Sequence, residues 1–394
     1  MKFGVFALLF VCCFVGSKKM TEHLFARYEA ADSKLKEPVG RARQITVCLD
    51  EWTKKGLSLS FLGISACFYD PVDSVTRHIV MRIKQIQHPH TGEMLKEAIM
   101  ETLTEWNIDH NKVVMLVTDN GANVVKAMRL LREEASDSDV MEGEGEEIAE
   151  QEEDFMDDEE QDQDGSEDEQ GVLTNSTVPF VSCRHMPCMA HTLQLVVKKA
   201  LSTNSCSILS KARSLVGHVR KSGVAVQKLQ DICSKTLPVD NTTRWNSSYL
   251  MMKRLTELRP SVNQVVQMLK VDTLRMAEWE EVENLVNLLE PFAEQTNLLQ
   301  SDAQSMSYIV SALLDLQYHL HNFQPLKMVS QAMLHDLNVR FQHILKPSSD
   351  NFNPLPAAAT LLDPTVVAVM LTDDVKALME AGKCYIISQV YVCA

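Results

Sequence analysis

Val113-Val114-Met115-Leu116-Val117-Thr118-Asp119-Asn120-Gly121-Ala122-Asn123 is the stretch on which the reading of the chain turns. A short, continuously apolar run that ends in a carboxylate and an Asn-Gly turn is a buried strand carrying an acid at its C-terminal mouth. From Ala122 to Leu131 the period becomes helical, with Val125, Met128 and Leu131 on one face. The unit is therefore strand, polar turn, helix. Open α/β sheets place their chemistry at that edge, although Asp before Asn-Gly is also ordinary turn chemistry.

A second stretch of the same kind gives the first its weight. Ile45-Thr46-Val47-Cys48-Leu49 is a β-prone apolar strand that delivers Asp50, followed by Glu51-Trp52-Thr53. Two strand-end aspartates in one sheet are the minimum constellation for a hard cation such as Mg²⁺, which takes oxygen ligands and few carboxylates. Asp50 and Asp119 are expected side by side at the ends of adjacent strands. Glu51 is expected on the opposite face, because consecutive strand residues alternate.

The 394 residues, 45% of them apolar, suffice for two or three packed domains. The formal net charge of −15 is unevenly distributed. Glu133 to Gln170 holds 21 of the 53 acidic residues and no Lys or Arg, which leaves 32 acids against 38 bases elsewhere, a net of +6. Such a segment cannot bury enough surface to fold and reads as a disordered insertion, or more sharply as a nucleic-acid mimic facing basic partners. Ten irregularly spaced cysteines suit reduced thiols inside a cell. Against that, Phe3 to Val15 is almost wholly apolar and is followed by Gly16-Ser17 and Lys18-Lys19, the shape of a secretory signal. A nuclear or cytosolic location is expected, with the secretory pathway as the alternative.

Met20 to Ala42 reads as a helix. Ile45 to Leu49, Ser58 to Tyr69 and His78 to Ile86 read as strands separated by turn signals, and a helix opens at Thr91 with Leu95, Ile99, Leu103 and Trp106 at helical spacing. With the strand at Val113 this is the element order of a ribonuclease H-like core. Farther on, Cys183, His185, Cys188 and His191 are four zinc-capable ligands within nine residues. Their spacing is tighter than that of a two-pair finger, which favours packing and hydrogen bonding over zinc.

Taken together, Asp50-Glu51-Trp52-Thr53, Thr118-Asp119-Asn120-Gly121-Ala122-Asn123, Cys188-Met189-Ala190-His191-Thr192-Leu193-Gln194-Leu195, Thr243-Arg244-Trp245-Asn246-Ser247 and Leu361-Leu362-Asp363-Pro364 resemble the hAT transposase superfamily, in particular the domesticated zinc-finger BED-type proteins of vertebrates. The resemblance runs from about Met20 to Leu371. It implies an α/β ribonuclease H-like mixed sheet interrupted by a large all-helical insertion, with two aspartates and a distant glutamate binding catalytic metals. It makes Asp50 and Asp119 a vestigial metal pair and gives Arg244 and Trp245 a role on DNA. A Trp closing the helical domain's core is the equal alternative for Trp245. No BED-type finger is recognised ahead of the core, and the family's last segment, with its third carboxylate and dimerisation surface, has no counterpart before Ala394. Glu280, Glu290 and Glu294 lie on a predicted helix that could bring a third acid to the sheet, but the Glu290-Pro291-Phe292 region resembles a stretch of the helical insertion that precedes the catalytic glutamate in the family.

The expected organisation is a signal-like 1–19, a first part of the core at 20–132, an acidic insertion at 133–170, a core continuation at 171–200, a helical insertion at 201–350, and a partial return to the core at 351–394. Within the helical part, Leu201 to Cys233, Tyr249 to Leu269, Met276 to Leu299, Ser305 to His321 and Met328 to Leu345 are helix-like. Between Cys183 and Arg259, 13 Lys or Arg stand against 3 Asp or Glu, which suits a phosphate-facing surface. The expected function is a nuclear, domesticated transposase-like protein contacting DNA or chromatin partners, without transposition activity and without a cofactor, Mg²⁺ entering only if activity remains. The alternatives are a residual metal-dependent nuclease or strand-transfer enzyme, or a non-functional fragment.

Overall fold

The computed structural model describes residues 17–54, 59–86, 90–119, 121–133, 183–203, 206–240, 245–269, 273–300 and 306–393. Phe3 to Val15 and all but the first residue of Glu133 to Gln170 lie outside the described residues. The chain divides into two compact units between Met186 and Pro187, and each is taken by itself.

The first unit runs α1 (Ser17–Arg41), β1 (Ile45–Lys54), β2 (Leu59–Asp70), β3 (Val75–Ile86), α2 (Gly92–Glu105), β4 (Val113–Thr118), α3 (Ala122–Glu133) and β5 (Arg184–Pro187). Its five strands form one mixed sheet in the order β3-β2-β1-β4-β5. β1 pairs antiparallel with β2 and parallel with β4, the parallel step being allowed by the α2 crossover. Burial along β2 alternates residue by residue, with Leu62, Ile64, Ala66 and Phe68 inward. One sheet face therefore packs a core with Val47 and Leu49 of β1 and with Leu95, Ile99 and Leu103 of α2.

α2 starts where its sequence says it should. Thr91 is the N-cap and its hydroxyl accepts from Met94 N at 3.3 Å. Gly92 is required by the packing of α2 on α3: a Cβ there would stand 2.8 Å from Lys126 Cβ and 2.9 Å from Ala127 N. At the far end of β2, Asp70 is fully buried and accepts from Arg77 Nε at 2.9 Å, Arg41 Nη2 at 3.1 Å and Val72 N at 3.1 Å. Burial alone would raise its carboxyl, but these donors hold it at about 2.

One irregularity sets the register between the two parallel strands. Ile45 pairs with Val113, yet Thr46 pairs with Met115, Val47 with Leu116 and Cys48 with Val117, so Val114 is an extra residue on β4. Val113 and Leu116 accordingly both belong to the core cluster although they are three residues apart.

The second unit is all helical: α4 (Met189–Thr203), α5 (Cys206–Lys221), α6 (Gly223–Cys233), α7 (Trp245–Glu257), α8 (Arg259–Leu269), α9 (Met276–Leu299), α10 (Tyr308–Asn322), α11 (Lys327–Arg340), α12 (Gln342–Leu345), α13 (Leu355–Leu362) and α14 (Lys376–Cys393). α9 is its spine and packs on α4, α5, α7 and α10. Trp279, Val282, Val286, Leu289 and Phe292 recur on it at helical spacing and are buried.

Two expected boundaries are corrected. The segment 171–200 was read as core, but α4 packs on α9 and α11, so only β5 stays with the sheet. The segment 351–394, expected with the core, groups with the second unit: α13 packs on α10 and α14, and Gly382 of α14 lies so close that a Cβ would stand 3.1 Å from backbone atoms of Ala357 and Ala358. Apolar period alone records that a helix has a buried face, not which layer covers it. Among the described residues no helix is long and apolar enough to cross a membrane.

Candidate functional site

The β1–β4 register, continued two residues beyond Cys48 and Val117, sets Asp50 opposite Asp119. Paired positions of neighbouring strands share a face, so the register sets both residues on the same side of the sheet, Asp119 just past the end of β4 and Asp50 within β1, which runs on to Lys54 beside β2. That is the side opposite Val47, Leu49 and Leu116. Glu51 takes the other face, where it pairs with His90 Nδ1.

Around Asp119 the backbone is tied down by short bonds. Its Oδ1 accepts from Gly121 N at 3.3 Å, an Asx turn that closes the strand into α3. Thr118 Oγ1 donates to Asp119 O at 2.8 Å and lies 2.8 Å from His185 Nε2. A hydroxyl has one proton, so His185 donates from Nε2. β5 thus delivers His185 as a brace for the turn that carries Asp119. His185 was singled out in the sequence as a metal-capable residue; nothing local announced that its partner stood 67 positions earlier.

Among the described residues no three His, Cys, Asp or Glu side chains gather in a group that could hold a metal ion. Cys183 is buried beside Arg184 O, His185 serves Thr118, and the carbonyl of Cys188 accepts from Thr192 Oγ1 and Thr192 N in the first turn of α4. The donor set fits a hard cation only in part, since the register sets two acidic positions on one face and Asp119 already accepts a backbone N–H.

Arg244 lies outside the described residues, and Trp245 corrects the stacking expectation. Its side chain is 4% exposed at the start of α7, with its ring centroid 6.2 Å from that of Tyr249. A base cannot stack on a ring already enclosed; Trp245 closes the helical core. Of the glutamates on α9, Glu280 and Glu294 are exposed, while Glu290 accepts from Lys253 Nζ at 2.7 Å and Tyr249 Oη at 3.4 Å. Lys253 holds the Glu290 carboxyl below its ordinary range and is itself raised by the same bond.

The basic stretch divides into engaged and unengaged cations. Lys199 pairs with Asp336, Lys211 with Glu278, Lys253 with Glu290 and Arg254 with Glu257. Lys198, Arg220, Lys221 and Lys228 make no ion pair among the described residues, and Arg220 donates only to Leu237 O. Arg213 belongs to a network with no signature in local spacing. Asp240, its side chain 6% exposed, accepts from Arg213 Nε, from Ser247 Oγ at 2.8 Å and from Ser248 Oγ at 2.9 Å, and Arg213 Nη2 reaches Ser248 Oγ at 3.3 Å. Burial would raise the Asp240 carboxyl, but Arg213 and the two hydroxyls hold it below its usual value. The network staples α5 to the first turn of α7.

Comparison with known proteins agrees with this architecture. Residues 48–147 match the ZBED1 RNase-like domain and residues 186–288 the ZBED1 RNase-like helical domain, together just over half of the chain. A Talaromyces stipitatus protein provisionally named transcriptional regulator tpeD is 22% identical over 75% of this chain and 34% of its own length. A Zea mays protein provisionally named AC transposase is 23% identical over 86% of this chain and 38% of its own. Zinc finger BED domain-containing protein 4 of Homo sapiens is 24% identical over 48% of this chain and 17% of its own. The chain thus spans well under half the length of each of these relatives. With the sheet, its helical companion and the sequence matches in agreement, the chain belongs to the hAT transposase-derived, BED-zinc-finger-protein-like family.

Proposed function

We propose that this is a domesticated, nuclear, transposase-like protein that binds DNA, alone or with chromatin partners, and neither cuts nor joins it. The observation that carries the reading is the set of unneutralised cations on three successive helices, Lys198 on α4, Arg220 and Lys221 on α5 and Lys228 on α6, in a region with ten more bases than acids. Anisotropy of a labelled duplex against the full chain tests it. Four phosphate contacts give a log K against log salt slope of about −3.6. Lys198→Glu with Lys228→Glu should flatten that slope, and a slope near zero would sink the reading.

The pairing of Asp50 with Asp119 supports a second reading, a residual metal-dependent nuclease. In-line phosphoryl transfer clamps the attacking and leaving oxygens between metals held by several protein oxygens. Two carboxylates, one of them already bonded to Gly121 N, supply too few. No step through a metal is derived for this site.

A further inference from the structure

The helical unit holds a cavity of about 380 Å³ between α5, α7 and the segment ahead of α7. Arg213, Val216, Gly217 and Arg220 line it from one face of α5 at helical spacing, joined by Lys221, Val239, Asp240 and Met251. Its volume lies in the range of about 300–1,000 Å³ usual for small-molecule sites.

Two features of the lining leave room and donors for a ligand. The first is Gly217. A glycine inside a helix is less favourable than alanine by roughly 0.5–1 kcal/mol, and a helix normally keeps one where another backbone presses close. Here a Cβ would meet nothing within 4 Å. The glycine is not needed for packing within the chain; it keeps the floor of the cavity low. The second is how the two guanidinium groups are held. Arg213 is fixed by Asp240 and Ser248, and Arg220 by Leu237 O. Each spends only one or two of its five N–H donors, so donors remain on groups whose orientation is already set. Lys221 adds a third positive charge beside them, against the single carboxylate of Asp240, which is itself saturated by its donors.

Fixed guanidinium donors suit a phosphate. Of the apolar lining, Val216 and Met251 are 3% and 1% exposed and lie beneath the surface, so the face open to a base is Val239 with the bare backbone of Gly217. We propose that this cavity binds one nucleotide, its phosphate on Arg213, Arg220 and Lys221 and its base over Val239 and Gly217. The nucleotide belongs either to a DNA strand, in which case the site deepens the DNA-binding reading and rests on it, or to a free nucleotide pool.

The test uses the full chain with three probes, a fluorescein-labelled oligothymidylate, unlabelled deoxythymidine monophosphate and inorganic phosphate. Gly217→Leu fills the floor without changing charge or meeting a neighbour, and Lys221→Glu reverses one exposed charge. Both variants should keep the wild-type melting temperature or raise it, while weakening oligonucleotide binding at least about tenfold. The monophosphate should compete for the wild-type site better than inorganic phosphate. If the chain binds no DNA but binds the monophosphate, and Gly217→Leu abolishes that, the cavity stands as a free-nucleotide site and the DNA reading falls. If DNA binds and neither variant alters it, while the monophosphate does not compete, the cavity proposal falls and the DNA reading survives. Competition by inorganic phosphate equal to that of the monophosphate overturns the assignment of a base to the floor.

Discussion

Replacing Asp240 by alanine should lower the stability of the helical unit by about 2–3 kcal/mol. Three hydrogen bonds to a charged acceptor are lost, each worth roughly 1.5–3 kcal/mol where nothing replaces it. The sum is discounted because the Arg213 side chain is 38% exposed and can rehydrate. In a unit of some two hundred residues each kcal/mol moves the melting temperature by about 2–4 °C, so a fall of about 5–10 °C is expected by calorimetry. Asp240→Asn keeps an acceptor for the serines and should lose about half as much. Arg213→Ala strands a carboxylate that is 6% exposed, and the double variant should lose less than the sum of the singles by about 1–2 kcal/mol. The pH dependence has a definite sign. The folded carboxyl titrates below the unfolded value of about 4, so its contribution is complete above that pH and disappears as pH falls through the lower folded value. The gap between wild type and Asp240→Ala should therefore close in acid. A melting temperature for Asp240→Ala within about 1 °C of wild type at neutral pH would refute the staple between α5 and α7.

Asp70 obeys the same sign: held at about 2, it stabilises the sheet unit fully above about pH 4 and loses that effect between pH 4 and 2, so Asp70→Asn should flatten the acid limb of a stability–pH profile, and an unaltered limb would contradict the assignment. Phe292→Ala on α9 empties a fully buried site and should lower stability by about 3–5 kcal/mol in urea unfolding. Gly92→Ala forces α2 away from α3 and should be destabilising by about 1–3 kcal/mol despite the better helix propensity of alanine; a neutral result would mean the contact is looser than 2.8 Å. Purified chain should leave supercoiled plasmid intact in Mg²⁺ or Mn²⁺, and nicking that Asp119→Ala abolishes would restore the nuclease reading.

The parts of the fold legible in the sequence are those written in local period. The alternation in β2, the strand end before Asp119, the Thr91 cap and the span of α9 from Met276 to Leu299 all follow from spacing within one element, whereas β1, expected to end at Asp50, runs on to Lys54 because β2 continues to pair with it. What escaped depends on partners distant along the chain. Trp245 in a polar stretch looks available to a base, and only Tyr249 and the surrounding helices show that it is enclosed. Asp240 is a lone acid in a loop, and its value comes from Arg213, 27 residues earlier. α13 and α14 carry the apolar period of helices that could cover a sheet, and they cover α10 and each other instead. The metal-capable look of His185 was a matter of residue type; its use was decided by Thr118.

The unpaired Val114 has a consequence for how the acidic pair is inherited. Had Val114 been paired with Thr46 in a regular ladder instead of being left out, Asp50 would lie opposite Thr118, and Asp119 would fall on the other face of the sheet. The pair is therefore encoded by a count rather than by two acids alone. Deleting Val114 would leave five steps on each strand and keep the two positions opposite, whereas adding one more residue to β4 without a second bulge would leave both aspartates in the sequence and set them on different faces. Conversely, a chain compared only by its motifs can look competent or incompetent for the wrong reason. The quantity to compare is the spacing from the first residue of β4 to its terminal aspartate.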